Sequence, residues 1–405
     1  MNTQELINEE KKYIMQTYNR FPVVFTKGKG VKLISLDGKE YLDFVSGIGV
    51  NILGHSFPKV VFAIRNQIRK LSHTSNLYYT IPQIKLAKTL CKLTGLDKCF
   101  FCNSGAEAIE GAIKLARKYA KENISKDKYE IITAYGSFHG RTFGALTATG
   151  QEKFHKGFEP LLDGFKYVKF NDIEGIKRTI SNNTCAIMLE PIQGEGGVNT
   201  PSNDYFKEIR KICDENNLLL ILDEIQTGLG RTGKMFAFEH YGIKPDILTL
   251  AKGIGGGLPL GAIITTDKIA SAFTSGTHGS TFGGGPVVCS AALAVLNTLH
   301  KKKILDNVNE TGSYFMKGLL KLKEKYDFIK DVRGLGLMIG IELKFSGKDI
   351  AKKLFENGIL INCTNENVLR FLPPLIITKK HVDRVVNTLD KVLNEIVNSQ
   401  KSTFT

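Results

Sequence analysis

The sequence predicts an α/β fold: a mostly parallel central sheet with flanking helices in a large unit, and a smaller α+β unit built from both ends of the chain. Three observations predict it. Short apolar runs alternate with stretches of helical periodicity through the middle of the chain, the pattern of strand–helix–strand crossovers. No repeat, low-complexity tract or Pro-rich linker interrupts that alternation. From about residue 290 the pattern changes to long helices around one short sheet signal. In chain order the expected strands are 98–102, 130–133, 185–189, 218–222, 247–250 and 262–265. Between the first two lies 106–121, where Ala108, Ala112, Leu115, Ala116 and Tyr119 recur at helical spacing. A helix at 290–300, a second long helix, the sheet signal at 336–343 and a closing amphipathic helix at 381–397 follow. Residues 61–289 then form the large unit, and 1–60 together with 290–405 the smaller one.

With 405 residues, 42% hydrophobic and 23% charged, the chain has the balance of a soluble globular protein with a sizeable core. Apolar runs such as 218–222 fall far short of the roughly 18–20 residues that cross a bilayer. The polar start MNTQELINEEKKYIMQTYNR lacks the apolar centre of a secretory signal. A cytoplasmic protein with no membrane partner is expected. The net charge of +15 raises the question of nucleic acid, but the lysines are scattered and no stretch interleaves cations with stacking aromatics. A solvated basic surface is the expectation, with no nucleic-acid partner. The seven cysteines, an odd number in a large chain, fit reduced thiols. Cys99 and Cys102 form a C-x-x-C inside the apolar run KCFFC with no second pair, which favours core packing over a metal site.

The chemistry-bearing residues fall at the carboxyl ends of the expected strands. Ser104-Gly105 follows FFC, Phe138-His139 follows IIT, Glu190 and Glu195 follow IML, Asp223 follows LLLIL and Lys252 follows LTL. Open α/β sheets bind ligands at that edge, so five loops are expected to meet in one cleft.

Each element has a plain reading and a chemical one. Asn103-Ser104-Gly105-Ala106-Glu107 turns from strand to helix through small residues; this is either turn chemistry or a helix N-terminus offered to a phosphate. Asp223, beside a buried strand, needs donors or a cation, and serves either as a cap or ion-pair partner or as a ligand group. Lys252, ahead of Gly253-Ile254-Gly255-Gly256-Gly257, is either a surface lysine on a flexible turn or a Schiff-base amine. Together they describe one cofactor. Pyridoxal 5'-phosphate needs an anion site, a lysine for its aldehyde, a carboxylate for its ring nitrogen and an apolar plate, here Phe138 or Ile225. A competing motif is GLGRTGKM at 228–235, which has the glycine and lysine spacing of a nucleotide-phosphate loop. Met235 stands where that loop needs Ser or Thr for magnesium, so the match is a coincidence of glycines. No metal is expected.

The stretches NSGAEA (103–108), FHGRTFGALTATGQ (138–151), EPIQGEGGV (190–198), LDEIQTGLGRTGKMFAFEHYGIKPDILTLAKGIGGGLPLGA (222–262), HGSTFGGGP (278–286), VRGLGLMIGIEL (332–343) and VLRFLPPL (368–375) resemble the class III, fold type I pyridoxal-phosphate aminotransferases. Within that family the pattern is most similar to the acetylornithine-using members, and the similarity runs nearly end to end. It implies Lys252 as the cofactor lysine, Asp223 as the ring-nitrogen partner and Gln226 near the ring's phenolic oxygen. It also implies Ser104, Gly105 and Ala106 at the phosphate, Phe138 stacked on the ring, and His139 and Ile225 in contact with the cofactor. Thr281 matches a threonine that reaches the neighbouring subunit's cofactor phosphate, so a homodimer with shared active sites is implied.

For substrates, Arg141 and Arg370 are the candidate carboxylate clamps, since a planar guanidinium suits a carboxylate. By the same resemblance Glu195 masks Arg370 while the ω-amine is bound and releases it for 2-oxoglutarate; Tyr18 and Ser280 complete the expected substrate contacts. The implied reaction is a ping-pong transfer of the δ-amino group of N2-acetylornithine to 2-oxoglutarate, a step of arginine biosynthesis. Ornithine, succinylornithine, succinyldiaminopimelate and 4-aminobutyrate are the alternative amines. The chain departs from the family where Asn is common, with Ile109 and Gly285, and carries Gly47-Ile48 where ornithine-using relatives have an aromatic. The smaller residue leaves room for an acyl group.

Overall fold

The computed structural model describes residues 1–301 and 303–402. Near the amino end, β1 (Phe25–Lys29), β2 (Lys32–Ser35) and β3 (Glu40–Asp43) form an antiparallel meander. The central sheet comprises β4 (Lys98–Cys102), β5 (Glu130–Ala134), β6 (Phe165–Val168), β7 (Thr184–Leu189), β8 (Leu219–Asp223), β9 (Ile247–Leu250) and β10 (Gly261–Thr265). Its order is β4-β10-β9-β8-β7-β5-β6. All six expected strands are present with ends shifted by no more than one residue. The pairings are parallel except those of β10, which runs antiparallel to both β4 and β9. The sequence reading missed β6. That strand sits at the sheet edge with Lys166 exposed in FKYV, so it lacks the apolar run that marked the others.

Five of these strands, β5 and β7 to β10, are buried along their whole length, as expected of strands covered on both faces. The crossover from β4 at one edge to β5 near the other is the helix Gly105–Asn123. It buries the stripe Ala108, Ala112, Leu115, Ala116 and Tyr119. Because β4, β5, β7, β8 and β9 point the same way, their carboxyl ends share one edge of the sheet.

Toward the carboxyl end, the helix Pro286–Lys301 begins four residues ahead of the expected 290 (290 − 286), and Ile304–Lys325 is the long helix that follows. Next comes the antiparallel hairpin of β11 (Ile329–Leu335) and β12 (Met338–Leu343). The sheet signal expected at 336–343 covers only the hairpin turn and its second arm. The first arm, IKDVRGL, has only two buried residues, and its charges hid it. Then follow β13 (Ile359–Leu360), β14 (Asn362–Thr364), β15 (Val368–Phe371) and the closing helix Lys379–Ser402. β11-β12-β15-β14 make one antiparallel sheet, while β13 pairs in parallel with β3, so the two ends of the chain share a sheet. No helix among the described residues is long and apolar enough to cross a membrane. All seven cysteines are free thiols, with Cys102 buried and Cys99 half-buried 3.6 Å from the sulfur of Cys91.

Candidate active site

The shared sheet edge opens onto a cavity of about 490 Å³. Residues from all five strand ends line it. At the end of β4, Ser104 caps the helix Gly105–Asn123, its side chain accepting from the Glu107 N–H at 3.2 Å. That leaves the Gly105 and Ala106 N–H groups without intrahelical partners at the cavity wall, where the helix dipole favours an anion. Gly105 must lack a side chain, because a Cβ would sit 2.9 Å from Ile225. The plain and chemical readings of this turn therefore coexist: the hydroxyl caps and the backbone remains available.

Beyond β5, Phe138 lies against the cavity with its ring edge-on to Phe154, and its N–H donates to Glu190 at 3.1 Å. Arg141 is exposed at the mouth, its guanidinium 4.0 Å above the Phe154 ring. Buried His139 donates through Nδ1 to Asp223 Oδ2 at 2.8 Å. Burial disfavours a charged imidazole, but the hydrogen bond and charge of Asp223 outweigh it and raise His139 above the ordinary histidine value. Asp223 closes β8 at 4% exposure and also accepts from the Ile225 N–H at 3.0 Å. Its need for donors is met in part by these two.

Lys252 follows β9 and lines the cavity. Its φ of +45° is a left-handed conformation that an ordinary side chain avoids, and such strain is kept where the surroundings fix it. Gly256 and Gly257 continue the turn at φ +60° and +103°. Burial pushes the Lys252 ammonium below its ordinary range; Glu195 and Asp223 pull it back, and Arg370 adds to the lowering. A desolvated, lowered amine is a competent nucleophile.

Glu195 lines the cavity, and behind it lies Arg370 on β15, fully buried. Their ion pair spans 2.7 Å. Arg370 Nη1 also donates to Gln226 at 3.3 Å and Nε to Asn362 at 3.2 Å, whereas its Nη2 has no acceptor among the described residues. Burial works against the Glu195 carboxylate, yet Arg370 holds it below its ordinary value.

Three expected residues lie elsewhere. Ser280 reaches the site only through Asn103, whose Nδ2 donates to its Oγ at 3.1 Å. Thr281 lines a separate groove with the 73–83 segment. Tyr18 is 72% exposed on the chain that folds back along the first helix, Thr3–Tyr13, stacked on Arg20 and away from the Lys252 cavity. Conversely, Glu190 was placed at the sheet edge by the sequence but given no role. It is buried on the cavity wall, accepts from the Phe138 and Gly194 N–H groups, and burial pushes its carboxyl up to about 7. Its position directly after IML was the signal.

A family model for class III aminotransferases matches residues 13–393. The chain belongs to this family. It is 57% identical over 396 residues to the acetylornithine aminotransferase of Methanocaldococcus jannaschii, covering 98% of this chain and 100% of that relative. To the acetylornithine aminotransferase of Caldanaerobacter subterraneus subsp. tengcongensis it is 54% identical over 392 residues, or 96% and 100% of the two chains. A solved ornithine aminotransferase from Toxoplasma gondii, with pyridoxal phosphate partially occupying its active site, superposes with a TM-score of 0.96. Sequence identity there is 34%, with 99% of this chain and 96% of that one covered.

The class III family implies pyridoxal phosphate, and the residues around the cavity fit it. Two backbone N–H groups at a helix start suit the phosphate, a buried carboxylate suits the ring nitrogen, and a desolvated lysine suits the aldehyde. GLGRTGKM does not open a helix: it runs through turns, and Lys234 Nζ donates to the Glu239 carbonyl at 2.8 Å on the surface.

Proposed function

We propose that this aminotransferase moves the δ-amino group of N2-acetylornithine to 2-oxoglutarate, yielding N-acetylglutamate 5-semialdehyde and glutamate, in the cytoplasm and as a homodimer. The observation that carries the chemistry is Lys252, half-buried and strained on a cavity wall shared with Asp223 and with Glu195, the ion-pair partner of Arg370. The amine is supported by the full-length similarity to acetylornithine enzymes. Ile48, 43% exposed, does not line the cavity; of the 46–50 segment only the aliphatic Val50 does.

Bound in the cavity, the cofactor supplies an electron sink for the carbanion at the amine-bearing carbon. Gly105 and Ala106 N–H groups and the Ser104 hydroxyl would hold its phosphate, and Asp223, backed by His139, would keep its ring nitrogen protonated. Phe138 and Ile225 would flank the ring, with Gln226 at its phenolic oxygen. Lys252 Nζ takes the proton from the reacting carbon and returns it at the far end of the shift, its basicity tuned by burial. Arg141 at the mouth orients a substrate carboxylate. Arg370 receives the second carboxylate of 2-oxoglutarate through Nη2 once Glu195 moves aside, so the amine and the dicarboxylate use one cavity in turn. We assign residues 61–289 as the cofactor-binding unit and 1–60 with 290–405 as the unit that carries Arg370.

Steady-state rates on a panel of ω-amines with 2-oxoglutarate test the substrate. N2-acetylornithine is expected to show the highest kcat/KM. A much higher value for 4-aminobutyrate or ornithine refutes the assignment.

The dimer is supported by the exposed apolar side chains beside Thr281. Phe282, Tyr78 and Tyr79 are 66%, 68% and 95% exposed in the single chain. Sedimentation is expected to give about twice 44.9 kDa. Thr281→Ala is expected to weaken pyridoxal-phosphate affinity about tenfold, the worth of one charge-assisted hydrogen bond. A monomer at assay concentration, or unchanged affinity, counts against shared sites.

A further inference from the structure

No residue of GLGRTGKM lines the Lys252 cavity, yet the stretch contains Arg231, which with Arg370 heads the largest fully buried side chains among the described residues. Arg231 lies on the loop that leaves β8 after Asp223 and Gln226. Its Nη1 donates to two carbonyls, Leu337 at 2.9 Å and Pro373 at 2.6 Å. Leu337 closes the β11–β12 hairpin, and its own N–H returns to the Arg231 carbonyl at 3.0 Å. Pro373 stands just past the end of β15, the strand that carries Arg370, and β12 pairs Gly340 with Arg370 directly. One nitrogen therefore ties the entry of β12 and the exit of β15 to the cofactor-side loop.

The seat is tight. A Cβ on Gly336 would lie 2.5 Å from the Thr232 backbone, so loop and hairpin turn touch main chain to main chain. Asn309, on the long helix Ile304–Lys325, donates to the Gly233 carbonyl at 3.1 Å and fixes the next turn of the loop. The exit of β15 is held from the other side as well, by Ser46 Oγ on the Leu372 carbonyl at 2.6 Å and by the Leu375 N–H on the Ile52 carbonyl at 2.7 Å. Arg370 has to lie between Glu195 and Gln226, two residues on loops of the central sheet, while itself belonging to a different sheet. Arg231 is a direct, buried connection between those two bodies.

We propose that Arg231 is a positioning residue for the 2-oxo-acid half of the reaction: it fixes β12 and β15 against the loop leaving Asp223 and Gln226, and so sets Arg370 where a dicarboxylate needs it. This rests on the reading of Arg370 as the second carboxylate clamp. Arg231 touches neither substrate nor cofactor, so its effect is confined to what Arg370 recognises. The ω-amine half-reaction, in which Glu195 covers Arg370, is spared.

The two half-reactions are measured separately on the holoenzyme by stopped-flow absorbance. R231M keeps the volume but removes the donors. It is expected to lower the 2-oxoglutarate kcat/KM by about 10–100-fold, the scale of a roughly 1 Å misplacement of a clamp, while the amine half-reaction changes by less than about threefold. R231K offers one nitrogen that can meet both carbonyls, and is expected to rescue, leaving a selective loss of about threefold. Equal losses in both half-reactions, or none, overturn the proposal. If R231M does not accumulate as folded holoenzyme, R231K decides alone: a selective loss supports the proposal, and a uniform or absent one overturns it. R370K separates the two levels. Should R370K leave 2-oxoglutarate unaffected, the reading of Arg370 is wrong; a loss in R370K beside a uniform or absent effect at Arg231 sinks only the inference about Arg231.

Discussion

Lys252→Ala is expected to lose the visible chromophore of the bound cofactor and about 10⁴-fold or more in kcat/KM, whereas Lys234→Ala keeps both. The two lysines pose the choice between a pyridoxal-phosphate site and a nucleotide loop. Lys252 lines the cavity at φ +45°, with Asp223, Glu190 and Glu195 acting on its charge. On the proposed reading, alanine there removes the amine that would bind the aldehyde and the same amine that would carry the proton, so two contributions would vanish together. Lys234 is an exposed side chain resting on the Glu239 carbonyl, and no phosphate-binding helix follows it. The measurement is the absorbance spectrum of each purified variant incubated with cofactor, before and after borohydride reduction, alongside rates. A chromophore that survives Lys252→Ala but disappears in Lys234→Ala refutes the site. Added small amines are expected to restore part of the Lys252→Ala rate, because they can enter the cavity and supply a base.

The central sheet was readable because burial on both faces writes β5, β7, β8, β9 and β10 as apolar runs. The cavity was readable for a related reason: a polar residue directly after such a run, as Asp223 after LLLIL, stands at the sheet's carboxyl edge whatever else it does. What escaped has physical causes as well. β6 and β11 each carry an exposed lysine, Lys166 and Lys330, and have no apolar run to find. The antiparallel direction of β10 is set by how the chain returns after Lys252, which no local pattern encodes. The Glu195–Arg370 pair was named by resemblance alone, because it joins a loop after β7 to β15 in another sheet, 175 residues on (370 − 195), and no local pattern encodes that contact. Tyr18 and Thr281 do not line the Lys252 cavity within the chain, and nothing in their local sequence says so.

Asp223→Asn is expected to lower kcat by about 10²–10³-fold while leaving a folded protein that still binds cofactor through Lys252. The side chain keeps its size, so the Ile225 N–H contact at 3.0 Å can persist. What changes is charge. Asp223 is the group that raises His139 against the opposing effect of burial, and a neutral amide cannot do so. If Asp223 holds the ring nitrogen as proposed, Asp223→Asn would leave no anion to keep that nitrogen protonated and would weaken the electron sink the cofactor supplies. The apo protein gives a readout free of turnover. A histidine raised in the folded state contributes stability that is fully present below its unfolded value, about 6.5, and is lost as pH rises through the raised folded value. The parent protein is therefore expected to lose that increment on going from about pH 6 to alkaline pH, and Asp223→Asn to show a flatter profile over the same range. Histidine resonances give the same comparison, with one ring titrating at lower pH, or remaining neutral, in the variant. If the His139 ring titrates identically in both proteins, its coupling to Asp223 is too weak to tune the ring nitrogen, and the 2.8 Å contact only orients the imidazole.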